Sequence, residues 1–272
     1  MKLTALIDNK QDVKQLKCEH GLSFLLETEN RVILFDTGQS DKFIHNAKVL
    51  NIDLSRVDYA VISHGHYDHA GGLPAFLKMN SKAQVFIHRE AFKKRFSRSS
   101  AMVKENGIPW RNQLGQYSDR ITLLDDDLLV EPGLQLMGSI KARTGYEIVN
   151  DRLVVEDDQA FKPDTFDDEL VLIASESNKN LVLAGCAHTG IVNILHAAEE
   201  RYDHSSFDCV AGGLHLNGQQ VNDVDSIIEA VKGFDVKKWA IDHCTGDLAF
   251  EQFSNAFHER VVYFGTGAQL SI

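Results

Sequence analysis

The chain has 272 residues, with 39 acidic against 28 basic side chains and a formal charge of −11. That length accommodates one large α/β domain with a full core, and that charge makes a nucleic acid or an anionic membrane a poor default partner. The four cysteines, Cys18, Cys186, Cys209 and Cys244, form no C-x-x-C pair and are too few for a disulfide framework, so a reducing, cytoplasmic setting is expected. Asp8 interrupts the apolar run that follows Met1, and no stretch approaches the roughly 18 apolar residues of a membrane span, which speaks against secretion or insertion.

Leu3 to Asp8 reads as a first strand, Phe24 to Thr28 as a second and Arg31 to Phe35 as a third, the last two joined through Glu29-Asn30 as a hairpin. The third ends at Asp36-Thr37-Gly38, and that kind of ending recurs. Val61-Ile62 runs into Ser63-His64-Gly65, Leu181 to Ala184 into Gly185-Cys186-Ala187-His188, and Cys209-Val210-Ala211 into Gly212-Gly213-Leu214-His215. Trp239-Ala240-Ile241 runs into Asp242-His243-Cys244, and Val261 to Phe264 into Gly265-Thr266-Gly267. The carboxyl ends of buried strands line the ligand crevice of α/β proteins, so these endings predict one shared rim. Helices are predicted over residues 41–50, 74–79, 191–202, 223–231 and 248–260, from apolar residues at three- and four-residue intervals and, in the second, a proline in the first turn.

The densest chemistry lies in Ser63-His64-Gly65-His66-Tyr67-Asp68-His69-Ala70-Gly71-Gly72. His64 and His66 are two apart in a turn leaving a strand, so both imidazoles can address one ion. Asp68 and His69 follow where the chain bends into a helix and face a point further on. A single tetrahedral ion cannot take all of them from so short a loop without strain, so two ions are expected, at the roughly 3.5–4 Å separation of binuclear hydrolytic sites. Further donors must come from the second half of the chain. His188 is expected to complete the first ion with His64 and His66, and His243 the second with Asp68 and His69. A centre of this kind stays positive overall and favours a small anionic substrate.

His88 to about Asp168 is expected to be an insertion that serves as a lid. Its first part is basic, and Arg95 and Arg98 are expected to hold an anionic group of the substrate while Trp110 supplies a stacking surface. Its acidic runs, Asp125-Asp126-Asp127 and those from Glu156 through Asp167-Asp168-Glu169, read as solvated surface.

Ser63 to Leu73 resembles the H-x-H-x-D-H signature of the metallo-β-lactamase superfamily. The resemblance implies an α/β fold, the four-layer αββα sandwich, with two divalent ions at the open edge between the sheets: zinc, with manganese or iron as alternatives. Glu19-His20-Gly21-Leu22-Ser23, Phe35-Asp36-Thr37-Gly38, Gly185 to Gly190, Gly213-Leu214-His215-Leu216 and His243-Cys244-Thr245-Gly246 look like one branch, often labelled as similar to dihydropterin ribofuranosylaminobenzene phosphate synthase. Where hydrolases resembling glyoxalase II carry a Gly-His-Thr ligand, this chain reads Thr144-Gly145-Tyr146-Glu147, and where they carry a bridging Gly-Asp it reads Gly185-Cys186. Either the Cys186 thiolate takes part or a solvent ligand bridges alone and Cys186 packs beside the centre. Asp36 is expected to support a ligating histidine from behind; Asp68, His20 and His215 are the expected catalytic residues, orienting the nucleophile, meeting substrate or moving protons. The leading reading is a hydrolase of a phosphoester or other anionic ester or lactone. A pterin-pathway synthase acting on a phosphorylated ribose and an iron-dependent oxidoreductase are the alternatives.

Overall fold

Runs such as Val32-Ile33-Leu34-Phe35 and Tyr59-Ala60-Val61-Ile62 show no polar alternation, the pattern of strands covered on both faces. The computed structural model, which describes residues 1–11, 13–141, 146, 150–158, 160–202 and 206–272, covers them in that way. In chain order the strands are β1 Lys2–Ile7, β2 Ser23–Glu27, β3 Val32–Phe35, β4 Tyr59–Ile62, β5 Gln84–His88, β6 Arg95–Arg98, β7 Val103–Glu105, β8 Ile121–Leu124 and β9 Leu128–Glu131. They continue with β10 Leu134–Met137, β11 Leu153–Asp157, β12 Ala160–Pro163, β13 Val171–Glu176, β14 Lys179–Leu183, β15 Cys209–Gly213, β16 Trp239–Asp242, β17 Val261–Tyr263 and β18 Gln269–Ser271. The helices are α1 Lys42–Val49, α2 Tyr67–Ala70, α3 Leu73–Met79, α4 Ile191–Tyr202, α5 Val221–Val231 and α6 Asp247–Phe257.

Two seven-stranded sheets, in the orders β18-β1-β2-β3-β4-β5-β8 and β17-β16-β15-β14-β13-β10-β9, face one another. Between them Phe24, Phe35 and Val61 of the first meet Leu136, Leu172, Leu183 and Ala211 of the second. Outside the first sheet, Phe43 and Ala47 of α1 and Leu73 and Phe76 of α3 pack on its outer face. Outside the second, Ile194 and Leu195 of α4, Ile228 of α5 and Phe253 of α6 cover Val182, Val210 and Ile241. The layers are helix, sheet, sheet, helix, as the resemblance implies, and each fully buried Leu, Ile or Phe stabilises the stack by about 1.5–3 kcal/mol.

Strands β3, β4, β5 and β8 run parallel, as do β14, β15, β16 and β17. The stretch from His88 to Asp168 is not one insertion. β8 extends the first sheet beside β5, β9 and β10 close the edge of the second beside β13, and only β6, β7, β11 and β12 stand apart, as a four-stranded sheet in the order β12-β11-β6-β7. The reason is apolar: Ile121, Leu124, Leu134 and Leu136 are core residues, which charge counts along the segment concealed. Among the described residues no helix is long and apolar enough to cross a membrane.

Candidate metal centre

β4 delivers the donor loop to the rim, where Gly65 passes so close to its neighbours that a Cβ would lie 2.1 Å from the Ala91 carbonyl oxygen. Only glycine fits there. Asp36, at the end of β3 with φ of 59°, receives the loop. Its Oδ1 accepts from Ser63 N–H (2.7 Å), and its Oδ2 accepts from Ser63 Oγ–H and from His69 Nδ1–H, each at 2.7 Å. The Ser63 hydroxyl, its proton committed to Asp36, accepts from His64 Nδ1–H at 2.9 Å. These bonds place a proton on Nδ1 of both imidazoles and turn both Nε2 atoms inward.

The same logic fixes His243. Asn9 Nδ2 donates to the His243 carbonyl (3.1 Å), so Asn9 Oδ1 is the acceptor for His243 Nδ1–H at 3.0 Å, and His243 Nε2 is bare. It lies 3.2 Å from His69 Nε2, and Asp68 Oδ2 lies 3.8 Å and 3.6 Å from these two nitrogens. Donor atoms around a tetrahedral ion with bonds near 2 Å are separated by roughly 3.3 Å, so these spacings are those of a ligand set. Two bare nitrogens this close repel unless a proton or a cation lies between them. In the other set one ligand atom each of His64, His66 and His188 lies within 4.8 Å of the others, and His188 Nε2 is buried without a hydrogen-bond partner among the described residues. A buried polar atom in that condition requires an explanation, and a bound cation supplies one. The residues present fit divalent metal ions.

Electrostatics agree. Burial holds His64 and His188 well below the usual imidazole range and brings His66 to about 3 and His243 to about 4, so all are neutral and able to ligate. Burial also pulls His69 down, but the Asp36 and Asp68 carboxylates outweigh it and raise it to about 9, so at neutral pH this ring holds a proton on Nε2 as well, which a metal ion would have to displace. Asp68 resists desolvation because His69, His20 and His243 surround it, and it stays ionised far below the usual carboxylate range.

Carboxylates from a distance hold the loops. Asp168 Oδ2 accepts from Gly65 N–H at 2.6 Å, while Glu169 accepts from His188 N–H (2.7 Å), Thr189 N–H (2.9 Å) and the Thr189 hydroxyl (2.6 Å). Asp8 accepts from His243 N–H at 2.8 Å. The acidic run ending at Asp168-Glu169 is therefore not solvated surface at that end: both residues are buried, because the backbone amides of the donor loops satisfy them.

The basic residues expected at the substrate are also placed differently. Arg95 is 1% exposed; its guanidinium pairs with Asp164 (2.8 Å) and Asp168 (2.7 Å) and donates to the Ala91 carbonyl, so it braces the donor loop from behind. Arg98 is turned away by strand alternation, its guanidinium 5.8 Å from the centroid of the Phe161 ring. Trp110 is buried and donates from Nε1 to the Ala70 carbonyl at 2.7 Å, anchoring the end of α2 rather than offering a stacking face.

Of the other expected residues, His20 places Nε2 3.1 Å from Asp68 Oδ2 with its ring largely exposed, and the bond to Asp68 raises its pKa. His215 accepts from Asn150 Nδ2 at 3.3 Å and lies 4.1 Å from His188, ring to ring. Cys186 is not merely packing: Gly185 presses against Ser63, where a Cβ would lie 2.1 Å from Oγ, and Cys186 Sγ reaches to 3.2 Å from His69 Nε2. Burial pushes this thiol up. Asp36, Ala187, His215 and His243 on this rim all sit at positive φ. Residues 144, 145 and 147 of the stretch compared with the Gly-His-Thr ligand lie outside the described residues. Ser97, Asn106 and Leu153, which carried no expectation, line a cavity of about 220 Å³ together with Tyr67, Lys104, Cys244, His20, Asp68 and His215. Ser97, Lys104 and Leu153 are brought together by cross-strand register in the small sheet, which is not visible from composition.

Residues 16–205 match the model of the metallo-beta-lactamase superfamily. A 7,8-dihydropterin-6-methyl-4-(beta-D-ribofuranosyl)-aminobenzene-5'-phosphate synthase of Methanocaldococcus jannaschii is 30% identical over 260 residues, which covers 89% of this chain and 86% of that relative. The crystal structure of Tm1679, a metal-dependent hydrolase of the beta-lactamase superfamily, superposes with a TM-score of 0.85 at 29% identity, over 100% of this chain and 99% of that one. The short form of human tRNase Z shares the fold alone, with a TM-score of 0.57 at 12% identity over 100% of this chain and 99% of that chain. With donor loop, sandwich and whole-length relatives in agreement, the chain belongs to the metallo-β-lactamase superfamily, in its branch similar to dihydropterin ribofuranosylaminobenzene phosphate synthase.

Proposed function

We propose that the protein is a metal-dependent hydrolase with a binuclear centre, zinc being the expected metal, acting on a small anionic ester: a phosphoester first, a lactone or other ester second. The observation that carries this reading is the inward-facing pair of donor sets, His64, His66 and His188 beside Asp68, His69 and His243. The whole-chain likeness to Tm1679 supports it. When bound, two ions supply Lewis acidity and lower the pKa of water to near 7. The protein's part is to hold and orient. Asp36 fixes the ring of His69 directly and that of His64 through Ser63. Asp68 would orient the nucleophile, and His20, bonded to it and open to solvent, would pass its proton outward. His215 would hydrogen-bond the oxygen on which charge develops. The net charge of −11 favours a small substrate over a nucleic acid.

A second reading, a pterin-pathway synthase or transferase acting on a phosphorylated ribose and a pterin, is favoured by the methanogen relative at 30% identity. Metal analysis of protein purified without added metal, followed by a screen of phosphoesters, cyclic phosphodiesters and lactones, separates the possibilities. Two zinc ions per chain, and hydrolysis that falls at least about a hundredfold in His66→Ala with the circular dichroism unchanged, are expected. Full activity in that variant ends the hydrolytic reading. A product uniting a phosphorylated pentose with a pterin precursor would favour the synthase, and iron in place of zinc would favour redox chemistry.

A further inference from the structure

Ser97 of β6 pairs directly with Lys104 of β7 on one side and with Leu153 of β11 on the other. Residues directly opposite on neighbouring strands project from the same face, so these side chains form one row. All three line the cavity that contains His66, Asp68 and His243. The alternate residues Phe96 and Arg98 lie on the other face, against Phe161.

Lys104 differs from the other lysines near this sheet. Lys93 pairs with Glu90, Lys94 with Glu156 and Lys162 with Asp157. Among the described residues the Lys104 ammonium has no carboxylate within ion-pair distance; it lies 5.5 Å from the centroid of the Tyr67 ring, inside the cavity mouth. The Ser97 hydroxyl makes only a marginal bond, 3.5 Å to the Lys104 carbonyl. A cation without a carboxylate partner beside a weakly bonded hydroxyl, in a chain with net charge −11, is suited to receive an anion.

We propose that the row Lys104-Ser97-Leu153 is the recognition strip of this site, with Lys104 and Ser97 holding a phosphate oxygen of a small organic phosphate and Leu153 covering an apolar group attached to it. The proposal rests on the hydrolytic reading for the identity of the cavity as the substrate site, but binding tests it without turnover. The probe is phenylphosphonate, whose P–C bond the proposed chemistry does not cleave, with benzyl alcohol as its uncharged counterpart, titrated by NMR into the metal-loaded full chain. Lys104→Ala is expected to weaken phenylphosphonate about tenfold, Lys104→Arg to stay within about twofold of the unchanged protein, and benzyl alcohol to bind all three alike. Phenylphosphonate binding that ignores Lys104→Ala, or that falls as far in Lys104→Arg as in Lys104→Ala, overturns the strip. Charge-dependent binding without hydrolysis of any ester would break the hydrolytic reading and uphold the strip; hydrolysis with binding indifferent to Lys104 would do the reverse.

Discussion

Between Ser63 and His69 the first half of the chain brings His64, His66, Asp68 and His69 to the rim from one loop and one turn of helix, whereas the second half brings His188 and His243 singly, from beyond β14 and β16. Both are held by carboxylates that grip backbone amides, and they differ in how many donors each grip serves. In the first loop Asp36 and Asp168 accept from the Ser63 and Gly65 amides, and Asp36 also takes the ring of His69 directly and that of His64 through Ser63. In the second, Glu169 grips His188 and Asp8 grips His243, and Asn9 then sets the ring of His243. A contiguous loop fixes the relative positions of its Cα atoms by its own covalent geometry, so one placement serves all its donors. A lone donor needs its own.

The largest effect is expected where a buried charge is left without its partner. Arg95→Ala strands Asp164 and Asp168 behind the first loop and should cost about 3–5 kcal/mol in chemical denaturation; a loss below about 1 kcal/mol would show that the first loop is self-supporting. Asp36→Asn keeps the shape but no longer accepts cleanly from both Ser63 and His69. It should weaken one ion about 10- to 100-fold in competition with a chromophoric chelator. Glu169→Gln should weaken the ion near His188 by about tenfold while leaving the other untouched, and equal loss at both ions would erase the distinction between the halves. Trp110→Phe, which removes only the bond to the Ala70 carbonyl, should cost about 1 kcal/mol in thermal denaturation without changing metal affinity.

The contiguous donors are legible in the sequence because near neighbours in a strand and turn have few ways to point. The rim endings that supply His188 and His243 are legible for the same reason. Asp168 and Glu169 are not, because an acid on the surface and an acid satisfied by a buried amide look alike in a charge run, and the Gly65 amide lies 103 residues from Asp168. Arg95 and Arg98 carry a signal that charge alone obscures: three apart in a strand, they fall on opposite faces, so both could not reach one substrate. Ser97 and Lys104 are set opposite by the hairpin of β6 and β7, and Leu153 joins them only through the register of β11, far along the chain. The two sheets are readable as apolar runs, but the edge strand β8 and its counterpart β10, one strand in from the edge, sit inside a charged segment whose overall composition masks their few core residues.

Asp168 and Glu169 are consecutive, yet one grips the loop of the first half and the other that of the second. A single peptide unit, with its Cα atoms about 3.8 Å apart, thus acts as a gauge block between the two donor loops. Length changes elsewhere in the connecting segment can be absorbed, but one residue inserted between this pair would spread the jaws and leave one donor set unable to close on its ion.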